Sequence, residues 1–444
     1  MTRWVSIATV ALSLVSCTQG GTSVALVAVP TASQVTPPTE TPISTPPRVK
    51  PTATLRPSRT PEPPLVCPDG TKQSALPAPK NLGEFREPVL NYLNTGGDLR
   101  LLPGVLKDSG MSAEVEAVDL NGDQLNELIV LLDYPTSPDY GHESAVWTYR
   151  CTRTGLYAEA GTFMDGLYTW EPTVYAITDL TGDRHPEVIV QGTWSGSACE
   201  MAVAAIGEVG NAIVDHFFGK VMPGCPGTIS INQAASGDLP TITLHGETST
   251  SLGGGPSRGV AYTYRWRASD LALIDERLDA SPLRIHVLED AQRALDGGDF
   301  DEAIRLYNQA AHDEALENVA SQYYIPFINS GLPDRDVPEK YQPAFALFRL
   351  GAIYHFLGKA DEFALTLAEL GSKYPSGTPG GEFVDLLTEF QEGYQSGGNP
   401  IDACQAVGAD IRLRYPDLEH HIGDWGYANV SYVATTICPF NDGP

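Results

Sequence analysis

The amino-acid sequence predicts a multidomain chain in which an all-β repeat domain is followed by an all-α domain of helical hairpins. The first observation is an acidic loop followed by a buried strand, which recurs in the first half of the chain. The second is a change of period after Pro282, where apolar residues recur at the three- and four-residue spacing of a helix. A Pro- and Thr-rich stretch lies before both parts. The expected segments are 1–17, 18–66, 67–280 and 281–444.

The first segment has the features of an export signal. One Arg precedes an apolar run over residues 4–15, which is too short for a membrane span of about 20 residues. Residues 14–17, LeuValSerCys, resemble the lipobox of bacterial lipoproteins, where cleavage before the cysteine leaves its sulfur to receive a diacylglycerol. The resemblance implies a lipid at Cys17 that anchors the protein on the outer face of the bacterial cell membrane. A secreted protein with an incidental Cys17 is the alternative.

A spacer follows the signal. Residues 30–64 consist mainly of Pro, Thr, Ser and Ala, and this composition cannot bury enough apolar surface to form a core. We therefore expect residues 18–66 to be a disordered linker with polyproline II character. At about 3 Å per residue, the linker reaches on the order of 100 Å from the membrane, a distance suited to crossing a cell wall.

The balance of charge limits the classes of partner. The chain has 28 basic and 55 acidic side chains, and its net charge is −27. Nucleic-acid binding depends on clustered Lys and Arg, and the sequence contains no such cluster. The surface is expected to repel anionic partners and to attract cations.

Three related units follow between residues 113 and 275. In the first, Asp119 and Asp123 lie in an acidic loop ahead of a buried strand, and the layout returns from Val174 as VYAITDLTGDRHPEVIVQG. A third copy from Ile231 keeps the Gly-Asp pair and has lost most of the acidic residues. The Gly-Asp pairs are spaced by about 60 and then 55 residues, which indicates a repeat of four-strand units.

These units resemble the FG-GAP or VCBS-type repeats of β-propellers, which have an acidic, glycine-containing loop ahead of a strand. Two features depart from that family. Gln124 and Arg184 stand where the family has a second loop glycine, and three units are fewer than the four to eight blades of a closed ring. The resemblance implies a propeller-like domain or an open β-sandwich.

The acidic loops are candidate calcium sites. Calcium takes six to eight oxygen ligands, and alternating side chains in a tight loop can supply several of them. The alternative is a capped turn, in which Asp and Asn bond their own backbone. The candidate ligands are Asp119, Asn121, Asp123, Leu125 through its carbonyl and Glu127 in the first loop, and Asp179, Thr181, Asp183 and Glu187 in the second.

Helical hairpins are predicted after residue 284. One begins near Ala291 and turns at Gly298, and another begins near Leu350 and turns at Gly358. A weaker third copy follows. Their small residues, aromatic residues and turn glycines resemble tetratricopeptide repeats. The resemblance implies stacked hairpins whose concave groove holds a peptide segment of another protein.

Six cysteines remain besides Cys17, and none has the CxxC spacing of a metal site. In an oxidising compartment we expect them to pair, and six cysteines allow 15 connectivities. Free buried thiols are the alternative. The preferred pairs are Cys199 with Cys225, which flank a predicted hairpin pair, Cys404 with Cys438, which would hold the C-terminal tail, and Cys67 with Cys151 by elimination.

No sequence motif of a hydrolase, a nucleotide-binding loop or a zinc protease is present. The run of three glycines at 253–255 is interpreted as a flexible connection, and His420 and His421 as solvated side chains. Trp194, in a long loop, is a candidate for stacking on a sugar. The sequence therefore predicts a non-enzymatic protein-binding or scaffolding lipoprotein of the cell envelope. A cell-wall hydrolase and a glycan-binding β module with a helical targeting domain are the alternatives.

Overall fold

The protein is described by a computed structural model. Every described residue lies in one compact unit, Pro63–Pro444. The predicted export signal, lipidation site at Cys17 and linker lie outside the described residues. The described residues are 67–68, 70–78, 80–137, 141–167, 169–195, 198–233, 238–251, 253–318, 338–422 and 425–440.

Antiparallel β-sheets make up the first part of the described chain, and helices make up the second. This order confirms the expectation of a β region followed by a helical region. Twelve strands are described: β1 (Ser112–Val118), β2 (Glu127–Ser137), β3 (Gly141–Cys151), β4 (Tyr157–Leu167), β5 (Thr169–Thr178), β6 (Glu187–Ser195), β7 (Cys199–Val209), β8 (Ala212–Asp215), β9 (Gly224–Asn232), β10 (Thr241–Glu247), β11 (Gly259–Arg267) and β12 (Asp270–Leu278).

The strands form three successive groups of four. β1 to β4 make one meandering sheet in chain order. β5 to β8 and β9 to β12 belong to a second sheet, but β7 and β9 are joined at a single residue pair, Glu200 with Gly224. The second sheet therefore consists of two four-strand groups, and the second acidic loop joins β5 to β6 as the first joins β1 to β2.

Apolar side chains bury the faces between these groups. Ile129 and Val146 of the first group share a cluster with Val188 and Ile206 of the second. On its opposite face, the second group contributes Ile189 to a cluster with the third group. The three groups are therefore stacked face to face.

Both ends of the stack are closed to further sheets. Helices α1 (Arg86–Asn94) and α2 (Leu102–Asp108) cover the first group through a cluster that includes Trp147. On the outer face of the third group, Thr243 and Thr263 are cross-strand neighbours with hydroxyl oxygens 3.1 Å apart. A polar face of this kind ends a stack without exposing apolar surface.

The helical part is built from consecutive pairs of helices, which pack against each other and around α5. Among the described residues, no helix combines the length and apolar character needed to cross a bilayer. The helices are α3 (Arg284–Asp296), α4 (Phe300–His312), α5 (Pro338–Phe356), α6 (Ala360–Lys373), α7 (Glu382–Gly397), α8 (Pro400–Arg414) and the short α9 (Leu418–Ile422).

Three disulfides join distant parts of the chain, and their pairing is the one preferred from the sequence. Disulfides of this kind indicate an oxidising compartment. The bonds are Cys67–Cys151, Cys199–Cys225 and Cys404–Cys438.

Candidate functional site

The first acidic loop folds around Asp119. Its Oδ1 accepts the N–H of Gly122 at 2.7 Å and its Oδ2 accepts the N–H of Gln124 at 2.9 Å. Asp123 Oδ1 accepts the N–H of Leu125 at 2.8 Å. These bonds satisfy backbone donors of the loop, which is the chemistry of the capped turn. Asn121 repeats the pattern one step earlier, since its Oδ1 accepts the N–H of Asp123 at 2.9 Å.

Residues other than glycine adopt the left-handed conformation in both acidic loops. Gln124 has φ 71° and Arg184 has φ 74°. Side chains at such positions cost roughly 1–2 kcal/mol. The sequence comparison had singled out these two positions as departures from the repeat family, and the structure shows that both loops keep the backbone conformation that glycine favours.

The glycine of each acidic loop packs closely against the loop of the next unit. A Cβ on Gly122 would lie 2.2 Å from the imidazole Cε1 of His185, and a Cβ on Gly182 would lie 2.4 Å from Leu239 Cδ2. The acidic loops therefore pack in series along the stack. Sequence analysis did not anticipate this role for the two glycines.

The last candidate ligand of the first loop, Glu127, is buried, with 1% of its surface exposed. Its Oε2 accepts the N–H of Leu120 at 3.0 Å, and its Oε1 accepts the Nε of Arg150 at 3.3 Å. Arg150 also donates to Glu208 on β7. Burial raises the pKa of Glu127. The hydrogen bond from the Leu120 N–H and the positive charge of Arg150 act against this rise. The positive charge near this carboxylate thus comes from arginine.

The second loop repeats the backbone bonds without the arginine. Asp179 accepts the N–H groups of Gly182 at 2.6 Å and Arg184 at 2.9 Å, and Glu187 accepts the N–H of Leu180 at 2.6 Å. The remaining candidates bond in the same way: Thr181 Oγ1 accepts the N–H of Asp183 at 3.4 Å, and Asp183 Oδ1 accepts the N–H of His185 at 2.8 Å.

Glu187 is a buried carboxylate beside a glycine. A Cβ on Gly207 would lie 3.2 Å from Glu187 Oε1 and 2.9 Å from the Nε2 of His216. Burial, followed by the charges of Asp183 and Asp179, raises the pKa of Glu187 to about 7. Within the part of the chain that the structure describes, no arginine lies against Glu187 as Arg150 lies against Glu127.

The predicted ligands are placed in two capped loops, and within the described part of the chain no three acidic, His or Cys side chains converge as a metal site requires. In the third copy, Asp238 is described and its neighbouring glycine lies outside the described residues. Calcium binding at either loop stays a prediction.

The helical part has one face covered by the chain itself. Residues 425–440, which contain no helix or strand, pack on α3, α5 and α7, the first helix of each pair. Tyr432 contacts Phe345 with ring centroids 4.8 Å apart, and Phe440 contacts Phe356 at 4.9 Å. We call residues 425–440 the C-terminal strap.

Arg349 holds the strap from inside the helical core. Only 1% of its surface is exposed. Its guanidinium donates to the carbonyl oxygen of Ile437 at 3.0 Å, to the carbonyl oxygen of Thr436, and to the hydroxyl of Tyr307, the last at 2.9 Å. The rings of Phe345 and Tyr432 lie 4.7 and 4.8 Å from the guanidinium carbon. These contacts fix the strap to α5.

The strap also binds the β stack, at the three glycines. Gly253 O accepts the N–H of Tyr427 at 3.1 Å, and Gly254 O accepts the N–H of Ala428 at 3.2 Å. A Cβ on Gly255 would lie 1.4 Å from the carbonyl oxygen of Trp425. The interpretation of this run as a flexible connection is therefore wrong, because the missing side chains allow two backbones to touch.

An ion pair reinforces the same junction. Arg258, beside the glycine run, donates to both carboxylate oxygens of Asp290 on α3 at 2.8 Å. The neighbouring Glu289 is buried and accepts the N–H of Val430 in the strap at 2.9 Å. The β stack, α3 and the strap thus form one packed junction.

The described part of the β stack has two histidine–carboxylate pairs. His142 Nδ1 lies 2.9 Å from Asp133 Oδ2, but the hydroxyl of Ser144 donates to the same Asp133 carboxylate at 2.7 Å, so the imidazole does not lie between nucleophile and acid. His245 and Asp279 form an exposed pair at 2.8 Å. Neither arrangement is a nucleophile–base relay.

Other side chains singled out from the sequence are placed as follows. His421 stacks on Tyr341 with centroids 4.4 Å apart, so it is packed and not merely solvated. Trp194 is 41% exposed. The side chain of His420 lies outside what the structure describes.

Comparison with known proteins found no matching family model, no similar curated protein and no similar solved structure.

Proposed function

We propose that the protein is an exported, lipid-anchored scaffold that holds a protein partner outside the cell membrane without catalysing a reaction. The observation that carries the proposal is the junction at Gly255, Arg258 and the strap, which joins the β stack and the helices into one body. A rigid body on a long spacer presents a binding surface in a fixed orientation, which lowers the entropy lost on association.

The proposed location has two supports. Three disulfides in separate parts of the fold favour an oxidising compartment. The lipobox-like residues 14–17 and the Pro- and Thr-rich linker fit an acyl anchor with a spacer. Removal of the lipid by Cys17→Ala should release the protein from membranes, and retention of the variant in the membrane fraction would contradict the anchor.

The finer fold assignments belong to this proposal. We propose that the three β units derive from FG-GAP-type blades that form an open stack, and that α3 to α8 are tetratricopeptide-like hairpins. The serial packing of Gly122 and Gly182 against the next loop supports the first assignment. The Gly298 and Gly358 turns, with φ 78° and 70°, support the second.

We place the partner at the groove between β12, α3 and α4, because the strap covers the faces of the first helices. The groove has a volume of about 520 Å³. Val287, Ala294 and Leu306 give it an apolar floor, while the Asp290–Arg293 and Glu302–Arg305 ion pairs lie at its rim. An apolar centre with a polar rim is the anatomy of a protein-binding site.

A single substitution in the groove tests this placement. Deletion of the helices would be a poorer test, because it would also expose the surface of the β stack that packs against α3 and the strap. Ala294→Arg fills the floor with a charged side chain, and Ala406→Arg on α8 is the matched control at another half-buried helix position. In crosslinking pull-downs from intact envelopes, we expect the wild type and Ala406→Arg to capture the same protein and Ala294→Arg to lose it at least tenfold. Equal capture by all three would place the partner elsewhere.

Calcium is proposed for the second acidic loop only. There Asp179, Thr181, Asp183 and Glu187 offer oxygen ligands without an arginine. A bound dication would supply to Glu187 the positive charge that Arg150 supplies to Glu127. The first loop is expected to remain a capped turn.

A further inference from the structure

The stack contains a second cavity that the proposed function does not use. It lies between the second and third strand groups, beside the Cys199–Cys225 disulfide, and has a volume of about 590 Å³. Binding pockets for small molecules occupy roughly 300–1,000 Å³. We call it the inter-sheet cleft.

One wall of the inter-sheet cleft is polar. Thr173 on β5 and Gln191 and Thr193 on β6 line it, and the carboxylate of Glu171 adds one negative charge. The amide of Gln191 donates to the hydroxyl of Thr173 at 3.5 Å, the outer limit of a hydrogen bond. Within the described residues, the Thr193 hydroxyl and the Gln191 amide oxygen have no protein partner. These groups can donate to and accept from a bound molecule.

The side of the cleft toward β9 is apolar. Met201, 6% exposed, is the cross-strand neighbour of Thr193 on the same sheet face, and Pro226 lies next to it in the lining. Gly227 packs directly on Met201, since a Cβ there would lie 1.8 Å from Met201 Sδ. A molecule that suits this lining has hydroxyl groups toward β5 and β6 and C–H groups toward β9.

The backbone of the cleft is held in an uncommon conformation. Glu171 has φ 44°, in the left-handed region, and it precedes Pro172, which restricts it further. Strained non-glycine residues of this kind occur preferentially at binding sites. The Cys199–Cys225 disulfide ties β7 to β9 at the same place.

From this geometry we propose that the inter-sheet cleft binds a neutral saccharide. Sugar hydroxyls pair with the carboxylate of Glu171, the amide of Gln191 and the hydroxyl of Thr193, and the apolar face of the ring lies on Met201 and Pro226. An anionic saccharide is disfavoured by Glu171 and by the net charge of −27. Trp194 points to the opposite face of β6 from Gln191 and Thr193, so it takes no part in this site.

The test uses the full-length chain on an array of neutral hexose and N-acetylhexosamine oligomers together with uronic acid oligomers. We expect retention of at least one neutral oligomer and none of the acidic ones. Titration of the retained oligomer should show a Kd raised at least tenfold by Glu171→Gln and by Thr193→Val. The matched controls, Glu276→Gln and Thr228→Val on exposed strand positions, should leave the Kd within twofold of wild type.

Thermal melting of each variant checks that folding is unchanged, and a variant that melts early is replaced by Gln191→Ala. The proposal is overturned if no neutral oligomer is retained, or if the cleft variants and the controls bind equally. Protein capture through Ala294 is measured separately, so failure here leaves the scaffold proposal standing.

Discussion

Glu187 lies beside Gly207 in the second unit of the stack, at the place where Glu127 meets Arg150 in the first. The register of Leu128 with Tyr149 and of Val188 with Ile206 makes the two places equivalent. The first unit therefore places an arginine against its buried glutamate, and among the described residues the second has none there.

Glu187→Gln is predicted to stabilise the protein at pH 8 and to have little effect at pH 5. The pKa of Glu187 is about 7 in the folded state against an ordinary 4.5. Between these values the folded protein holds a proton that the unfolded chain has released, so wild-type stability falls as the pH rises through this window. The loss is at most about 3 kcal/mol. Glutamine does not titrate, so the stability of the variant does not decrease in this way as the pH rises.

Urea unfolding at both pH values, in the presence of a chelator, measures the difference. Glu127→Gln is the comparison and should destabilise the protein at pH 8, because it removes the partner of Arg150. If the free energies of unfolding of Glu187→Gln and wild type differ by the same amount at pH 5 and at pH 8, the prediction is wrong and Glu187 titrates as an ordinary carboxylate.

Calcium should raise the melting temperature of the wild type, and Asp179→Ala should abolish that increase. The reason is the unbalanced charge of the second loop. Asp119→Ala, which loses the caps of Gly122 and Gln124, should melt earlier than wild type but keep the calcium response. A wild-type melting temperature that is the same in calcium and in chelator would reduce both loops to capped turns.

Gly255→Val is predicted to lower the free energy of unfolding by at least about 2 kcal/mol. The residue has φ 85°, and its Cβ would overlap the Trp425 carbonyl. Gly253→Ala is the control in the same run, since its Cβ would meet Tyr427 at an ordinary 3.4 Å. Chemical denaturation of the two variants should differ clearly, and similar stabilities would show that the glycine run is flexible after all.

Arg349→Met is predicted to destabilise the fold by roughly 3 kcal/mol, because it leaves the carbonyl groups of Thr436 and Ile437 buried without a donor. Arg305→Met, at an exposed ion pair with Glu302, should cost less than about 1 kcal/mol. Denaturant midpoints compare them. A small effect of Arg349→Met would mean that the strap is held by its apolar contacts alone.

The sequence predicted the features that depend on local pattern. The acidic loops are visible because Asp119 and Asp179 cap backbone groups only three to five residues away. The order of strands and helices follows from the change in apolar period. Cys404 was paired with Cys438 because a bond between them would hold the C-terminal tail, and the structure has this bond.

The features that sequence did not reveal depend on contacts between distant segments. Gly255 and Trp425 are far apart in the chain, and a run of glycines has the same composition whether it is flexible or packed. The strap has no periodic pattern, so nothing in its sequence indicated that Arg349 would bind its carbonyl groups. Gly207 occupies the position in the second unit that Arg150 occupies in the first, and this equivalence can be recognised only from the strand register.

We expect the strap to join the β stack and the helices into one rigid body. Hydrogen exchange measured along a denaturant series tests it most directly, because it reports the opening of each segment separately. We predict that peptides from β9 to β12 and from α3 to α8 lose protection at the same denaturant concentration, and that Gly255→Val separates the two transitions. Loss of protection in the helices at a clearly lower concentration in the wild type would contradict the claim.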